Sequence, residues 1–204
     1  TMPHKVKTVE LLDDVTTAVL VSGSCNAILK RPDGSLLGNM FDGEGFVRAV
    51  RRKGFAPTGK KILVVGSGGV GSAIAASFAA ADAAVIALHD ASSGAVSGLA
   101  DRLRMHYPKL SVTTGSNDPA GYDLVVNATP LGMNVGDPMP MDVTRISPAT
   151  FVGDVVMKQE MTPFLMAAKK RGCKIQVGVD MLFEQIPAYL EFFGFPTTTP
   201  EELI

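Results

Sequence analysis

Ile62-Leu63-Val64-Val65-Gly66-Ser67-Gly68-Gly69-Val70-Gly71-Ser72-Ala73-Ile74-Ala75 is the stretch on which the fold turns. Four aliphatic residues run without a break into Gly-x-Gly-x-x-Gly, and small helix-forming residues follow. In the order strand, tight turn, helix, each glycine has its own reason. Gly66 permits the turn, Gly68 lets a pyrophosphate approach the backbone, and Gly71 lets the helix lie close on the strand. The new helix then offers free N–H groups and a partial positive charge to phosphates, with Ser67, Gly69 and Val70 completing the loop. The alternative is a glycine turn that serves packing alone.

The next aliphatic run, Ala84-Val85-Ile86-Ala87-Leu88, ends at His89-Asp90. An acid at this distance past the loop accepts hydrogen bonds from the adenine ribose hydroxyls. A ribose 2′-phosphate would meet a carboxylate there, and the nearest downstream base, Arg102, falls well into the following helix. The pair His89-Asp90 therefore points to NAD, with NADP less favoured. Asp90 could also be a solvated loop residue or a helix cap.

Working outward, β-branched and aliphatic runs recur at Lys61–Val65, Ala83–Leu88, Ser111–Thr113, Asp123–Asn127, Phe151–Val155 and Cys173–Val177. Between them lie stretches of helical spacing or composition, including Ser72–Ala81, Gly94–Tyr107 and Thr162–Gly172. Thr162 can cap the last of these, Pro163 suits its first turn, and Lys169, Lys170 and Arg171 complement its C-terminal dipole. Apolar strands alternating with helices predict an α/β fold, a doubly wound parallel sheet of the Rossmann type, over residues 60–178. The first 42 residues differ: Lys5–Val15 has helical spacing, and short strands at Cys25–Lys30 and Leu36–Asn39 flank the turn Arg31-Pro32-Asp33-Gly34. Such a unit buries too little surface to fold alone. A connecting helix occupies Gly43–Arg52 within the linking segment 43–59. An apolar helix at Met181–Phe193 dominates the C-terminal segment 179–204.

The 204 residues are many for one domain and few for two. With 46% hydrophobic residues the chain can bury a sizeable core. Its 19 Lys+Arg against 20 Asp+Glu give no basic excess, so a nucleic-acid partner is not expected. Cys25 and Cys173 form no disulfide framework, and with His4, His89 and His106 they give no metal-ligand spacing. No apolar run is long enough for a membrane span, and Thr1-Met2-Pro3-His4-Lys5 lacks the character of a secretion signal. A cytoplasmic location and a small-molecule partner are the expectation; a homodimer is compatible with the sequence.

Five motifs, in order, resemble those of the shikimate dehydrogenase family. They are Pro3-His4-Lys5; Ser22-Gly23-Ser24-Cys25-Asn26-Ala27; Phe41-Asp42-Gly43 with Gly45-Phe46; Val126-Asn127-Ala128-Thr129-Pro130-Leu131-Gly132-Met133; and Met181-Leu182 with Gln185. The resemblance implies hydride exchange between a nicotinamide and the secondary alcohol of shikimate, quinate or a related hydroxylated cyclic carboxylate. It makes Lys5 the proton-transfer residue and Asp42 its partner. It gives Asn26 and Gln185 to the substrate, and Asn127, Thr129, Pro130, Met133, Val156, Gly178 and Met181 to the cofactor pocket. It also implies that residues 1–42 form only part of a smaller α/β substrate domain, without the Ser-x-Ser stretch that precedes Pro-His-Lys in the family, and that the C-terminal helix packs back on it. The alternatives are a surface salt bridge for Lys5–Asp42, ordinary polar roles for Asn26 and Gln185, and a turn role for Asn127.

Some positions depart from the family pattern. Met40-Phe41 replaces Asn-Thr before Asp42, which predicts a more apolar rim to the site. Met157-Lys158-Gln159 follows Asp154-Val155-Val156 where the family has Tyr and Asn-Pro, Asp180 replaces a glycine, and His89-Asp90-Ala91 replaces a basic patch. These changes leave two further readings open: a catalytically weak NAD-binding regulatory module, and a dehydrogenase for a different ring, such as an amino-substituted one.

Overall fold

The structure is a computed structural model that describes residues 4–203. Its larger sheet contains β4 (Lys61–Val65), β5 (Val85–His89), β6 (Ser111–Thr114), β7 (Leu124–Asn127), β8 (Phe151–Asp154) and β9 (Ile175–Gln176). The strand order is β6-β5-β4-β7-β8-β9, with every pairing parallel. The order reverses between β4 and β7, so their carboxyl ends open a crevice where an α/β sheet binds ligands. The Rossmann-type expectation is met.

Period-two alternation divides the strands between two cores. Ile62, Val64, Ile86, Leu88, Leu124 and Val126 face α3 (Gly69–Ala80) and α4 (Ser93–His106). Leu63, Val65, Ala87, Val125 and Val152 face α5 (Pro163–Lys170) through Phe164, Leu165 and Ala168. Strands buried on both faces need apolar residues at every position, which explains the unbroken aliphatic runs.

The smaller sheet has the order β1-β3-β2, from Asp14–Val15, Leu36–Asn39 and Ala27–Lys30. Strands β2 and β3 form the expected hairpin, and β1 joins β3 in parallel. The helix expected over Lys5–Val15 is corrected to a 3-10 turn at Lys7–Leu11 followed by this strand. Asp13 explains the difference: its N–H donates to the Leu36 carbonyl at 3.1 Å and its carboxylate accepts from the Leu36 N–H at 2.8 Å. A short acidic side chain that binds backbone elsewhere competes with helix. Helix α1 (Thr17–Ser22), closed by Gly23 at φ 66°, was not legible beforehand; its six residues include two valines, and contacts with α3 and α4 hold it.

Helix α2 (Asp42–Arg52) leads from the small sheet to β4 and lies between α3 and α6 (Gly178–Phe193). Two glycines permit this. A Cβ at Gly43 would collide with the Ala73 carbonyl, and one at Gly45 would sit 2.5 Å from the Met181 carbonyl. The close approach sets the first residue of α2, Asp42, beside α6. Helix α6 begins at Gly178, three residues before the expected Met181, because Asp180 accepts from the Val177 N–H at 3.1 Å and caps its first turn. Among the described residues no helix is long and apolar enough to cross a membrane.

Candidate active site

Four of the sequence-selected residues meet at Asp42, whose side chain is nearly buried. Lys5 Nζ donates to Asp42 Oδ2 at 2.6 Å. Asn26 Nδ2 donates to Oδ1 at 2.9 Å, and Gln185 Nε2 to the same oxygen at 3.2 Å. Asn26 is itself fixed, because its Oδ1 accepts from the Phe41 N–H at 3.0 Å. The four side chains come from the N-terminal turn, the residue before β2, the start of α2 and the middle of α6. The Lys5 side chain keeps 16% of its exposure, so this is a pair sheltered from water, not a bridge on an open surface. Pro3, the first residue of the Lys5 motif, lies outside the described residues.

The expected apolar rim is corrected. Met40 and Phe41 are 1% and 3% exposed and face small cores instead of the site. Met40 packs with Val19, Cys25 and Ala73. Phe41 meets Tyr189 and Phe192 edge-on at 4.9 and 5.4 Å. Burial, followed by the nearby Asp42 charge, pushes the Tyr189 hydroxyl up to about 12.

The glycine loop joins β4 to α3 as expected. The Gly66 N–H donates to the His89 carbonyl at 2.7 Å, and the Ser67 N–H to Asp90 Oδ2 at 2.6 Å, so the acidic strand end touches the loop. Arg102 is turned away: its Nε donates to the Val21 carbonyl at 2.6 Å. The glycines are not equivalent. Gly66 lies at φ 108°, and a Cβ there would press on Ala128; one at Gly71 would collide with the Gly66 carbonyl. These two are explained by the protein itself. A Cβ at Gly68 would meet nothing within 4 Å. The Ser67 hydroxyl is buried without a hydrogen-bond partner among the described residues. Open space at the loop's central glycine and an unpaired hydroxyl beside it fit a pyrophosphate and ribose that the protein does not replace.

At the carboxyl end of β7 the structure corrects Asn127 as a pocket-lining side chain. It is fully buried, and all its hydrogen-bonding capacity serves the loop. Nδ2 donates to the Leu131 carbonyl at 2.9 Å and to Asp154 Oδ1 at 3.1 Å; Oδ1 accepts from Thr129 N–H at 3.1 Å and Thr129 Oγ1 at 2.6 Å. Thr129 Oγ1 in turn accepts from the Leu131 N–H, which turns the chain at Pro130. Asn127 thus shapes the loop that carries Met133, which is 39% exposed. Val156 and Gly178 adjoin, since a Cβ at Gly178 would collide with the Val156 carbonyl. Met181 is 4% exposed and belongs to the main core with Phe46.

Sequence reasoning missed Asp137 and Gln159. Asp137 Oδ2 accepts from the Gly132 and Asn134 N–H groups at 3.0 and 2.9 Å, and Gln159 Nε2 donates to the Gly132 carbonyl at 2.5 Å. Neither stands in a motif; only the loop's fold brings them to it. No group of His, Cys, Asp and Glu among the described residues could hold a metal ion.

The parallel sheet and its glycine loop define a Rossmann-type α/β fold. No protein-family model matches the chain. It is 36% identical over 189 residues to the shikimate dehydrogenase (NADP(+)) of Rubrobacter xylanophilus, covering 91% of this chain and 66% of the relative. It is 32% identical over 204 residues to that of Acidiphilium cryptum, covering 100% and 72%. Among solved structures it superposes on ligand-free 5-ketofructose reductase of a Gluconobacter strain with TM-score 0.87 at 27% identity, covering all of this chain and 77% of that one. Quinate dehydrogenase from Corynebacterium glutamicum in complex with NAD gives TM-score 0.88 at 27% identity, covering all of this chain and 74% of that one. The chain belongs to the shikimate dehydrogenase family. It spans about two thirds to three quarters of the length of these relatives.

Proposed function

We propose that the protein oxidises a ring hydroxyl of shikimate, quinate or a related hydroxylated cyclic carboxylate, with NAD as cofactor. The convergence of Lys5, Asn26 and Gln185 on Asp42 carries the reading. A dinucleotide-binding sheet alone has no use for a sheltered lysine held 2.6 Å from a buried carboxylate at the start of α2, outside that sheet.

Bound at the crevice between β4 and β7, the nicotinamide supplies the hydride acceptor. The chain's own residues handle the proton. Lys5 Nζ takes the proton from the alcohol oxygen as the carbon–hydrogen bond gives up its hydride, and returns it in the reverse direction. Asp42 orients Nζ through Oδ2, while Asn26 and Gln185 satisfy Oδ1 and keep that carboxylate in one orientation. We assign the remaining N–H of each amide to a ring hydroxyl of the substrate. Helix α3 and the Gly68–Gly69 backbone receive the pyrophosphate, and Asp90 takes the ribose hydroxyls.

Preference for NAD rests on Asp90 beside the loop and on Arg102 being held at α1. A second reading, a polyol or ketose other than shikimate, is supported by Met157, 54% exposed directly after Val156 where the family carries tyrosine. The Corynebacterium quinate dehydrogenase, solved in complex with NAD, and the Gluconobacter 5-ketofructose reductase bracket the choice. The test is the steady-state formation of reduced nucleotide from shikimate and quinate, and its consumption with 5-ketofructose. NAD and NADP are compared on the full-length protein. Turnover of a cyclic acid with NAD supports the proposal. Turnover of the ketose alone moves the substrate assignment, a clear NADP preference sinks the cofactor assignment, and no turnover sinks the reading.

A further inference from the structure

Asp154, the last residue of β8, is fully buried and takes no part in the chemistry above. Burial of a carboxylate is costly unless its oxygens are satisfied. Here Oδ1 accepts from the Val156 N–H at 3.0 Å and from Asn127 Nδ2 at 3.1 Å, while Oδ2 accepts from Thr162 Oγ1 at 2.7 Å. These donors belong to three separate segments. Asn127 shapes the turn that ends at Met133. Val156 lies in the loop after β8, its carbonyl against Gly178. Thr162 is the cap of α5, accepting from the Leu165 N–H at 3.2 Å, and its side chain faces Gly132, where a Cβ would lie 3.5 Å away. One side chain therefore ties together both loops that border the nicotinamide end of the crevice and the helix behind them. Among the described residues no hydrogen bond joins its side chain to the adenosine end at Gly66–Gly71 and Asp90.

We propose that Asp154 is a positioning residue for the nicotinamide: its two oxygens fix the Asn127–Met133 loop and the Val156 backbone in the arrangement that receives the ring. Desolvation raises the Asp154 carboxyl above the ordinary range, and its hydrogen-bond donors pull it back. The inference rests on the dinucleotide reading of the crevice, and the experiment separates the two.

Affinity for NADH, read by fluorescence, is compared with affinity for ADP-ribose, which lacks the nicotinamide, read by calorimetry. In Asp154→Ala, NADH binding weakens roughly 10- to 100-fold, the range for losing hydrogen bonds to a charged group. ADP-ribose stays within about twofold. Asp154→Asn recovers most of the loss, because its amide oxygen can take the place of Oδ1 while its NH2 faces Thr162 Oγ1, which can turn to accept. Should Asp154→Ala not fold, Asn127→Ser cuts the same tie from the loop side and shows the same selective loss. Unchanged NADH affinity overturns the proposal. Equal loss of both ligands also overturns it, assigning Asp154 to the stability of the domain, as does an Asp154→Asn no better than Asp154→Ala. Wild-type protein that binds neither ligand contradicts the dinucleotide reading itself.

Discussion

Gly68 and Gly71 stand three residues apart in one loop, yet a methyl group added at each meets opposite surroundings. At Gly71 it would overlap the Gly66 carbonyl; at Gly68, whose φ of −72° suits any residue, it enters open space. Packing explains the first glycine; the proposed pyrophosphate would explain the second. Gly71→Ala is therefore expected to cost about 1–3 kcal/mol of stability through overpacking. Gly68→Ala should stay within about 0.5 kcal/mol of wild type, since its backbone is already permitted. Its affinity for NADH should fall at least about tenfold, as a methyl group where the phosphates approach replaces close contact with steric conflict. Chemical denaturation and NADH fluorescence check both halves. A Gly68→Ala protein that binds like wild type would remove the ligand explanation for that residue.

Among the elements, α2 and α6 make the joint between the small sheet and the large one. Glycines 43 and 45 provide the close approach, and ion pairs lace the outer side. Arg48 pairs with Glu44 at 2.6 Å and with Glu191 at 2.8 Å; Arg52 pairs with Glu184 and with Glu201, and Lys53 with Asp180. The Arg48 hydrogen bond holds the Glu191 carboxyl below its ordinary 4.5. A carboxyl lowered by folding adds stability above its unfolded value and loses it as pH falls through the folded one. Wild type should thus exceed Glu191→Gln in denaturant midpoint near neutrality, by no more than the ~1 kcal/mol of an exposed pair. The two should converge as pH falls through the lowered folded value of Glu191, where the native glutamate takes up its proton. A difference that persists in acid would show that the glutamine fails for reasons of packing. Elements were also where sequence and structure parted most. The 3-10 turn at Lys7–Leu11, the strand Asp14–Val15 and the helix Thr17–Ser22 are short, and each is set by a neighbour: Leu36 for the strand, α3 and α4 for the helix. Local spacing carries no trace of such partners.

At the scale of the molecule, the doubly wound sheet was legible because burial on both faces forces unbroken apolar strands, and Gly66–Gly71 marked where the sheet opens. The meeting of Lys5, Asn26, Asp42 and Gln185 was legible only through the motif resemblance, since up to 180 residues separate them. The saturation of Asn127, the inward turn of Met40 and Phe41, and the tie through Asp154 were not legible, because each depends on which way a side chain points from a known position. What remains is whether the Lys5–Asp42 pair moves a proton. The most direct measurement is the rate of NADH formation by the full-length protein with its best cyclic substrate at saturating NAD, wild type against Lys5→Ala, with NADH binding measured on both. Loss of general acid–base assistance predicts a rate lowered by about 10²–10⁴-fold with NADH affinity unchanged. A Lys5→Ala enzyme that keeps the wild-type rate would contradict the account.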